Sequence, residues 1–309
     1  MKLRQSGFFL EDFMTLLQGI LLGAIQGIAE FLPISSSGHL NIAQKLLNLE
    51  DVPLLFDVLL HIATLLVVVI FFRKKIWELL KAFGRLISRR PAPTNIKDEK
   101  GNVVELSQET ALAAEQNRRR YILAVILTTI VTGIIGIASD KLIGNLPVRF
   151  IFIGFIITSA FLILAAVLTA IRQKKNPVDD GKPFKKAPTW IQSLIIGVAQ
   201  GIGTLPGISR SGSTIAGAIA SGVDRNVAGE YSFIASIPAV LGAFILEAKD
   251  LGDITTGVGI APLIAGCLTA FATGYLALFL LIKIIKKGHL EWFAYYLIPA
   301  AILGLIFIK

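Results

Sequence analysis

The chain has 309 residues, of which 54% are hydrophobic and 17% charged, and its mean hydropathy is +0.72. Apolar runs of membrane-spanning length, separated by blocks of charge, exclude a soluble globular domain and predict an all-α polytopic membrane protein. The net charge of +9 does not mark a nucleic-acid binder, because 21 of the 30 Lys and Arg fall in 73–120, 172–188 and 283–287, as expected of loops held on the cytoplasmic side. A single cysteine, Cys267, excludes an intrachain disulfide and a Cys-cluster metal site.

In chain order the apolar stretches run roughly 13–29, 54–72, 121–138, 150–171, 189–205, 227–246, 261–282 and 292–308. The first lacks a basic n-region followed by an A-x-A-like cleavage site, so it reads as a retained part of the fold. With the three basic loops inside, the connections at 48–53 (Glu50, Asp51), 139–149 and 247–260 fall outside. Parity then gives six full crossings, namely 54–72, 121–138, 150–171, 227–246, 261–282 and 292–308, with both termini outside. Residues 189–222 start and finish on the cytoplasmic side, so they must enter and turn back, with the break at Pro206-Gly207. Residues 13–47 enter from outside, break near Pro33 and return. The segment 91–117 is polar, with charges of both signs, and reads as a cytoplasmic loop containing one short helix.

The two re-entrant stretches are copies of one element. GAIQGIAEFLPISSSGHL at 23–40 returns 174 residues later as GVAQGIGTLPGISRSGST, and the ungapped alignment of 15–40 holds 10 identities in 26 positions. The fold expected is therefore a single membrane domain over 1–309 built on inverted-topology repeats, with six transmembrane helices and two re-entrant helical hairpins. Repeat one covers about 13–72 with its motif at 26–40, and repeat two covers about 189–246 with its motif at 200–214, the loop 73–120 lying between. Such repeats with broken helices place binding sites near the bilayer midplane, where half-helix N-termini present free amides and a positive dipole end to anions.

The copies differ where chemistry is at stake. The first has Glu30, Ser36 and His39 where the second has Thr204, Arg210 and Ser213. An intramembrane arginine calls for an anionic partner, and phosphate suits its paired donors; the structural alternative is an ion pair with Glu30 or Glu230. Gln26 and Glu30, four apart, share a helix face, and Ser35, Ser36 and His39 follow the break, so carboxylate, hydroxyl and imidazole are expected to converge. His39 is then a candidate nucleophile or acid and base, and Glu30 a candidate to orient it, activate a hydroxyl or hold a divalent cation. Asp57 and His61, again four apart, are read as a capping pair or a secondary part of the site, and Glu230 as either functional or paired with its helix dipole. No GxxxxGK[ST], HExxH or GxSxG motif is present.

At these motifs the chain resembles the undecaprenyl-diphosphate phosphatase family of bacterial membranes, associated with bacitracin resistance. Gln26 to Glu30 is similar to that family's Glu/Gln-x-x-x-Glu element, FLPISSSGH at 31–39 to its FLP-x-SS-[ST]-GH element, and PGISRSGST at 206–214 to its PG-x-SRSG-x-T element. The resemblance implies hydrolysis of the terminal phosphate of a C55 isoprenyl diphosphate for carrier recycling in cell-wall synthesis, a divalent cation (Mg²⁺ or Ca²⁺), and an outward-facing site in the inner (plasma) membrane. It implies Glu30, Ser36, His39 and Arg210 as catalytic positions, Glu30 also as the metal ligand. Gln26, Ser35, Ser37, Ser209, Arg210, Ser211 and Thr214 would then form the diphosphate pocket. Gln26 departs from members with Glu there, and since a neutral amide is no strong cation ligand or base, Glu30 must carry more of any such duty. The motif leaves open whether Ser36 or His39 attacks phosphorus. The expected partners are the lipid substrate and the bilayer, with a homodimer as a candidate assembly and no nucleic acid. The rival class is a transporter or flippase of an isoprenyl phosphate or other anion, since its architecture is the same; a structural subunit would not need two buried polar motifs.

Overall fold

The computed structural model describes residues 14–49, 52, 54–97, 103–143, 147–175, 186–247 and 258–308. The first repeat opens with α1 (Leu16–Phe31) and α2 (Ser36–Leu46), followed by α3 (Leu54–Phe71) and α4 (Arg73–Ser88). A short hairpin of β1 (Asn95–Lys97) and β2 (Val103–Glu105) pairs Ile96 with Val104 in antiparallel register and leads into α5 (Gln108–Ile143) and α6 (Arg149–Lys175). The second repeat gives α7 (Trp190–Ile202), α8 (Arg210–Ala220) and α9 (Arg225–Glu247), and α10 (Ile260–Lys287) and α11 (Glu291–Phe307) follow it.

The two copies begin in the same way at atomic detail. Thr15 caps α1 and Thr189 caps α7, each with a reciprocal capping box to the glutamine three residues on, Gln18 and Gln192. Both first half-helices also carry glycines at a spacing of four, which admit a neighbouring backbone. A side-chain carbon at Gly23 would lie 2.8 Å from the Cα of Gly266 on α10, and one at Gly197 would lie 3.0 Å from the Thr128 carbonyl on α5. Small residues at a membrane helix interface permit this close approach. The packing is interchanged between repeats: α1 lies on α10 and α7 on α5, while α6 pairs with α11 and α3 meets α9.

Among the described residues five helices are long and apolar enough to cross a membrane: Leu54–Phe71, Gln108–Ser139, Arg149–Arg172, Arg225–Leu246 and Ile260–Lys287. Their outward faces carry Leu123, Ile130, Ile134, Leu268 and Leu276, all exposed and suited to lipid. The chain is thus a multi-pass helical membrane protein. The sixth expected crossing, α11, has 17 residues. At 1.5 Å per residue it spans about 26 Å, slightly under the hydrocarbon thickness of about 30 Å, and it packs along α6. α1 and α7 are shorter again, as broken half-helices should be.

The basic region departs from its reading as loop. Residues 73–88 form α4, and α5 begins at Gln108, so the last thirteen residues of the expected loop are helix continuous with the span. The reason is internal pairing of the charges. Glu115, only 3% exposed, accepts two hydrogen bonds from Arg85 of α4, at 3.0 and 2.8 Å, with Arg118 and Arg119 beside it. Glu50, Asp51 and most of 247–260, expected as outer connections, lie outside the described residues.

Candidate active site

Each half-helix pair is interrupted by a proline-linked turn. Leu32 precedes Pro33, which disfavours helical geometry, and it is extended at φ −62°, ψ 138°. The chain then passes through Ser35 at φ 73°, an uncommon value for a residue with a side chain, and Ser35 Oγ accepts the Gly38 amide at 3.3 Å to start α2. In the second copy the left-handed residue is Gly207, at φ 78°, pressed against the main chain of Ile151. Ser209 there has ordinary extended geometry, donates its amide to Thr158 Oγ1 at 2.9 Å and caps α8 by accepting from Gly212 at 3.1 Å.

These turns put Ser36 and Arg210 at the first position of α2 and α8, and both reach the same carboxylate. Ser36 Oγ donates to Glu30 Oε2 at 2.7 Å, while Arg210 donates to Glu30 Oε1. Gln26, fully buried one turn earlier on α1, donates its amide to Oε2 at 3.1 Å. Glu30 is 9% exposed and Arg210 25%. A carboxylate in apolar surroundings is tolerable here because each oxygen has a donor and one donor is a cation. The structural alternative for Arg210 is thus realised with Glu30 and not with Glu230, which pairs with Lys75 of α4 at 3.5 Å and does not line the cavity.

The cavity beside this pair is walled by three elements besides α1. α3 contributes His61, Thr64, Leu65 and Val68; α8 contributes Arg210, Ser211 and Thr214; α9 contributes Ser232, Phe233, Ser236 and Val240. His61 Nδ1 bonds to the main-chain oxygen of Asp57 at 2.8 Å, and its Nε2 lies 3.8 Å from Glu30 Oε2. The Asp57 carboxylate accepts from Gln44 on α2, at 3.0 and 3.2 Å. The expected Asp57–His61 pair is therefore made through the backbone, and the two side chains part company.

The structure does not bring His39 to Glu30 and Ser36, although all three were expected to meet. Its Nδ1 bonds to the Ser35 carbonyl at 2.9 Å, which swings Nε2 to the Tyr296 hydroxyl of α11 at 2.8 Å. The ring stacks on Phe155 at 5.0 Å and lines a separate apolar groove with Ile42, Phe152 and Tyr296. Ser35 and Ser209 are buried caps whose hydroxyls face Ser37 and Ser211 at 3.5 and 3.2 Å, so they shape the turns, and Ser37 is exposed. Ser211 and Thr214 reach the cavity wall. Gln200, the counterpart of Gln26, is fully buried and donates to Thr132 at 3.1 Å, so the second copy uses the same amide for packing. Thr64, Ser232 and Ser236 went unnoticed in the sequence; their one signal is a hydroxyl at helical spacing within an apolar run.

Among the described residues no three His, Cys, Asp or Glu stand together as a ready metal cage. Glu30 is joined, however, by the buried Oε1 of Gln26, which has no hydrogen-bond partner. One carboxylate and one amide oxygen suit a hard cation such as Mg²⁺ that takes its remaining ligands from phosphate and water.

Relatives match this chain along almost its whole length. The family described as Bacitracin resistance protein BacA matches residues 19–303. An undecaprenyl-diphosphatase of Treponema denticola is 43% identical over 286 residues, covering 93% of this chain and 95% of the relative. Proteins of the same name from Methanosphaera stadtmanae and Desulfatibacillum aliphaticivorans are 37% and 40% identical, over 95% and 91% of this chain and 97% and 94% of theirs. With the family match spanning both broken-helix motifs and the helices that hold them, the chain belongs to the bacitracin resistance protein BacA family.

Proposed function

We propose that the protein is an undecaprenyl-diphosphatase, a membrane hydrolase that removes the terminal phosphate of undecaprenyl diphosphate. The observation that carries the reading is the meeting of Ser36 and Arg210, from equivalent positions of two repeats, on the one carboxylate Glu30. Near-full-length relatives named for this activity support it. So does the charge balance of the cavity: Glu30 and Arg210 cancel, leaving the half-helix amides of α2 and α8 to meet an incoming diphosphate.

Ser36 is the attacking group in this reading. Its hydroxyl already donates to Glu30, the arrangement that readies an oxygen for attack, whereas His39 is turned to Tyr296. As the Ser36 Oγ–P bond forms, the bond from phosphorus to the bridging oxygen breaks and the lipid monophosphate leaves; the Ser36 proton passes toward Glu30. Water then attacks the phosphoserine, the P–Oγ bond breaks, Ser36 regains a proton and inorganic phosphate departs. Arg210, Ser211 and the amides opening α2 and α8 hold the phosphoryl oxygens, where charge concentrates in the transition state. Glu30 and Gln26 Oε1, together with the substrate's phosphates, would hold a divalent cation, which when bound supplies further neutralisation of charge. The prenyl chain stays in lipid or a lateral apolar groove.

By the positive-inside rule the basic segments lie in the cytoplasm, which turns the α1–α2 hairpin and the site outward, with the chain in the bacterial inner membrane. The purified protein in lipid nanodiscs, given undecaprenyl diphosphate and Mg²⁺, is expected to release phosphate, to lose that activity in EDTA and to regain it with added Mg²⁺. Vectorial movement of the intact lipid in liposomes with no phosphate released would replace this reading with a flippase.

A further inference from the structure

The lipid-facing surface does not stop where α3 ends. Leu66, Val69 and Ile70 are exposed in the last turns of α3, and α4 follows at Arg73, whose guanidinium donates to the Ile70 carbonyl at 3.0 Å. α4 has three faces. Leu79 and Ala82 are buried, and beside them Lys75 pairs with Glu230 of α9 and Arg85 with Glu115 of α5. A second arc carries Trp77, Leu80, Phe83 and Ile87, all exposed. At about 100° per residue these four lie within roughly 120° of one another, next to the buried face. The third arc is basic, with Lys74 and Lys81 two turns apart on one side, and Lys81 Nζ stands 5.3 Å from the centre of the Trp77 ring. With Lys75 and Arg85 paired, Arg73, Lys74, Lys81, Arg89 and Arg90 remain exposed against a single exposed acid, Glu78.

We infer that α4 is an interfacial helix: its Trp77 to Ile87 face lies in the headgroup layer of the bilayer that α3 spans, and its exposed cations hold the phosphates of anionic phospholipids. Its depth fits. The apolar run of α5 begins at Tyr121, directly after Arg118, Arg119 and Arg120, a basic belt of the kind that marks a membrane boundary. α4 starts at that level, with Lys75 Nζ 5.2 Å from the centre of the Tyr121 ring, and near its far end Arg85 meets Glu115, which is three residues from Arg118. Three residues of helix rise about 4.5 Å, so the contacts of α4 with α5 stay within a headgroup layer that is about 5–8 Å deep on each side. Its chemistry fits too. A basic amphipathic helix with a tryptophan on its apolar face suits the boundary between headgroups and acyl chains, and each exposed Lys or Arg there attracts anionic lipid. A second copy or a soluble protein would cover the same apolar arc, yet only a lipid surface explains why that arc continues the exposed face of α3 and is flanked by cations.

Trp77 is one of three tryptophans, so the full chain with Trp190→Phe and Trp292→Phe reports on α4 alone. In nanodiscs of phosphatidylcholine and phosphatidylglycerol, its fluorescence is expected to be quenched by lipid brominated near the top of the acyl chains. Quenching should be about threefold stronger when phosphatidylglycerol carries the bromine than when phosphatidylcholine does at equal mole fraction. Adding Lys74→Gln, Lys81→Gln, Arg89→Gln and Arg90→Gln is expected to abolish that preference and leave the quenching itself in place, since the apolar face still seats in lipid. Hydrogen exchange over residues 73–88 of the wild-type protein requires no substitution and should slow when phosphatidylglycerol replaces phosphatidylcholine; identical exchange in the two lipids contradicts the assignment. A Trp77 that escapes both brominated lipids and is reached by aqueous acrylamide overturns it, as does equal quenching by the two lipids before the cations are removed. A Trp77 shielded from bromine and acrylamide alike, in particles holding two chains, overturns it in favour of a second copy on this face.

Discussion

The two re-entrant hairpins have the same caps and the same buried glutamine, and each breaks at a proline, yet one carboxylate lies between them and only the first copy owns it. Equivalent positions carry Ser36 and Arg210, a hydroxyl and a cation, and both end on Glu30. At the position of Glu30 the second copy has Thr204, whose hydroxyl turns back to the Gly201 carbonyl at 2.7 Å. A duplicated scaffold thus supplies two half-helix ends, and divergence at single positions gives one end a hydroxyl and the other a cation, which the proposed function reads as a reacting group and a phosphate-holding one.

The sharpest way to break this division is to exchange the two residues. The double variant Ser36→Arg with Arg210→Ser keeps composition and charge, and equivalent repeats would tolerate it; the expected result is loss of phosphate release by 10³-fold or more, on the order of the combined loss of nucleophile and oxyanion donor. Arg210→Ala alone is expected to lower kcat by about 10²–10³-fold and also to destabilise the protein by about 3–5 kcal/mol, because Glu30 is left buried without its cation. Phosphate release and thermal unfolding in detergent measure the two effects, and Arg210→Ala/Glu30→Gln should recover stability without recovering turnover. A smaller effect separates the interfaces: Gly23→Leu, which drives a side chain into the α10 backbone, is expected to prevent stable insertion or folding, read by yield and monodispersity, while Gly242→Leu, with open space around it, is tolerated. The smallest concerns the caps. Ser35→Gly relieves a left-handed residue, a gain of about 1 kcal/mol that exceeds the lost cap, whereas Ser209→Gly relieves nothing and costs roughly a few tenths of a kcal/mol; unfolding midpoints of the two variants should differ in that order.

The broken helices, Glu30, Ser36 and Arg210 were legible in the sequence because duplication supplies an internal reference: a break carrying a proline in each copy, Pro33 and Pro206, then polar residues at a constant offset where apolar ones would be cheaper. The imidazole was not. Ser36 and His39 are three apart on a helix and point broadly alike, so what separates them is a rotation of one ring, fixed by Tyr296, 257 residues away. His61 lies in the following helix, outside the aligned copies, so the sequence offered it only as a capping partner of Asp57 or a secondary part of the site, and the Asp57 carboxylate is taken by Gln44 instead. Charge misled at the loop for a related reason: a mixed-charge segment reads as solvated, whereas Glu115 and Arg85 satisfy one another and let α5 start early.

The most direct test of the division of labour is to map the phosphoryl group during turnover. Protein mixed rapidly with undecaprenyl diphosphate labelled in its terminal phosphate, quenched at neutral pH in detergent and digested for mass spectrometry, should carry the label on Ser36. The label should be missing in Ser36→Ala and still present in His39→Ala. Label on His39, on Ser209 or Ser211 of the second copy, or on no residue while phosphate is released in a burst, would contradict it.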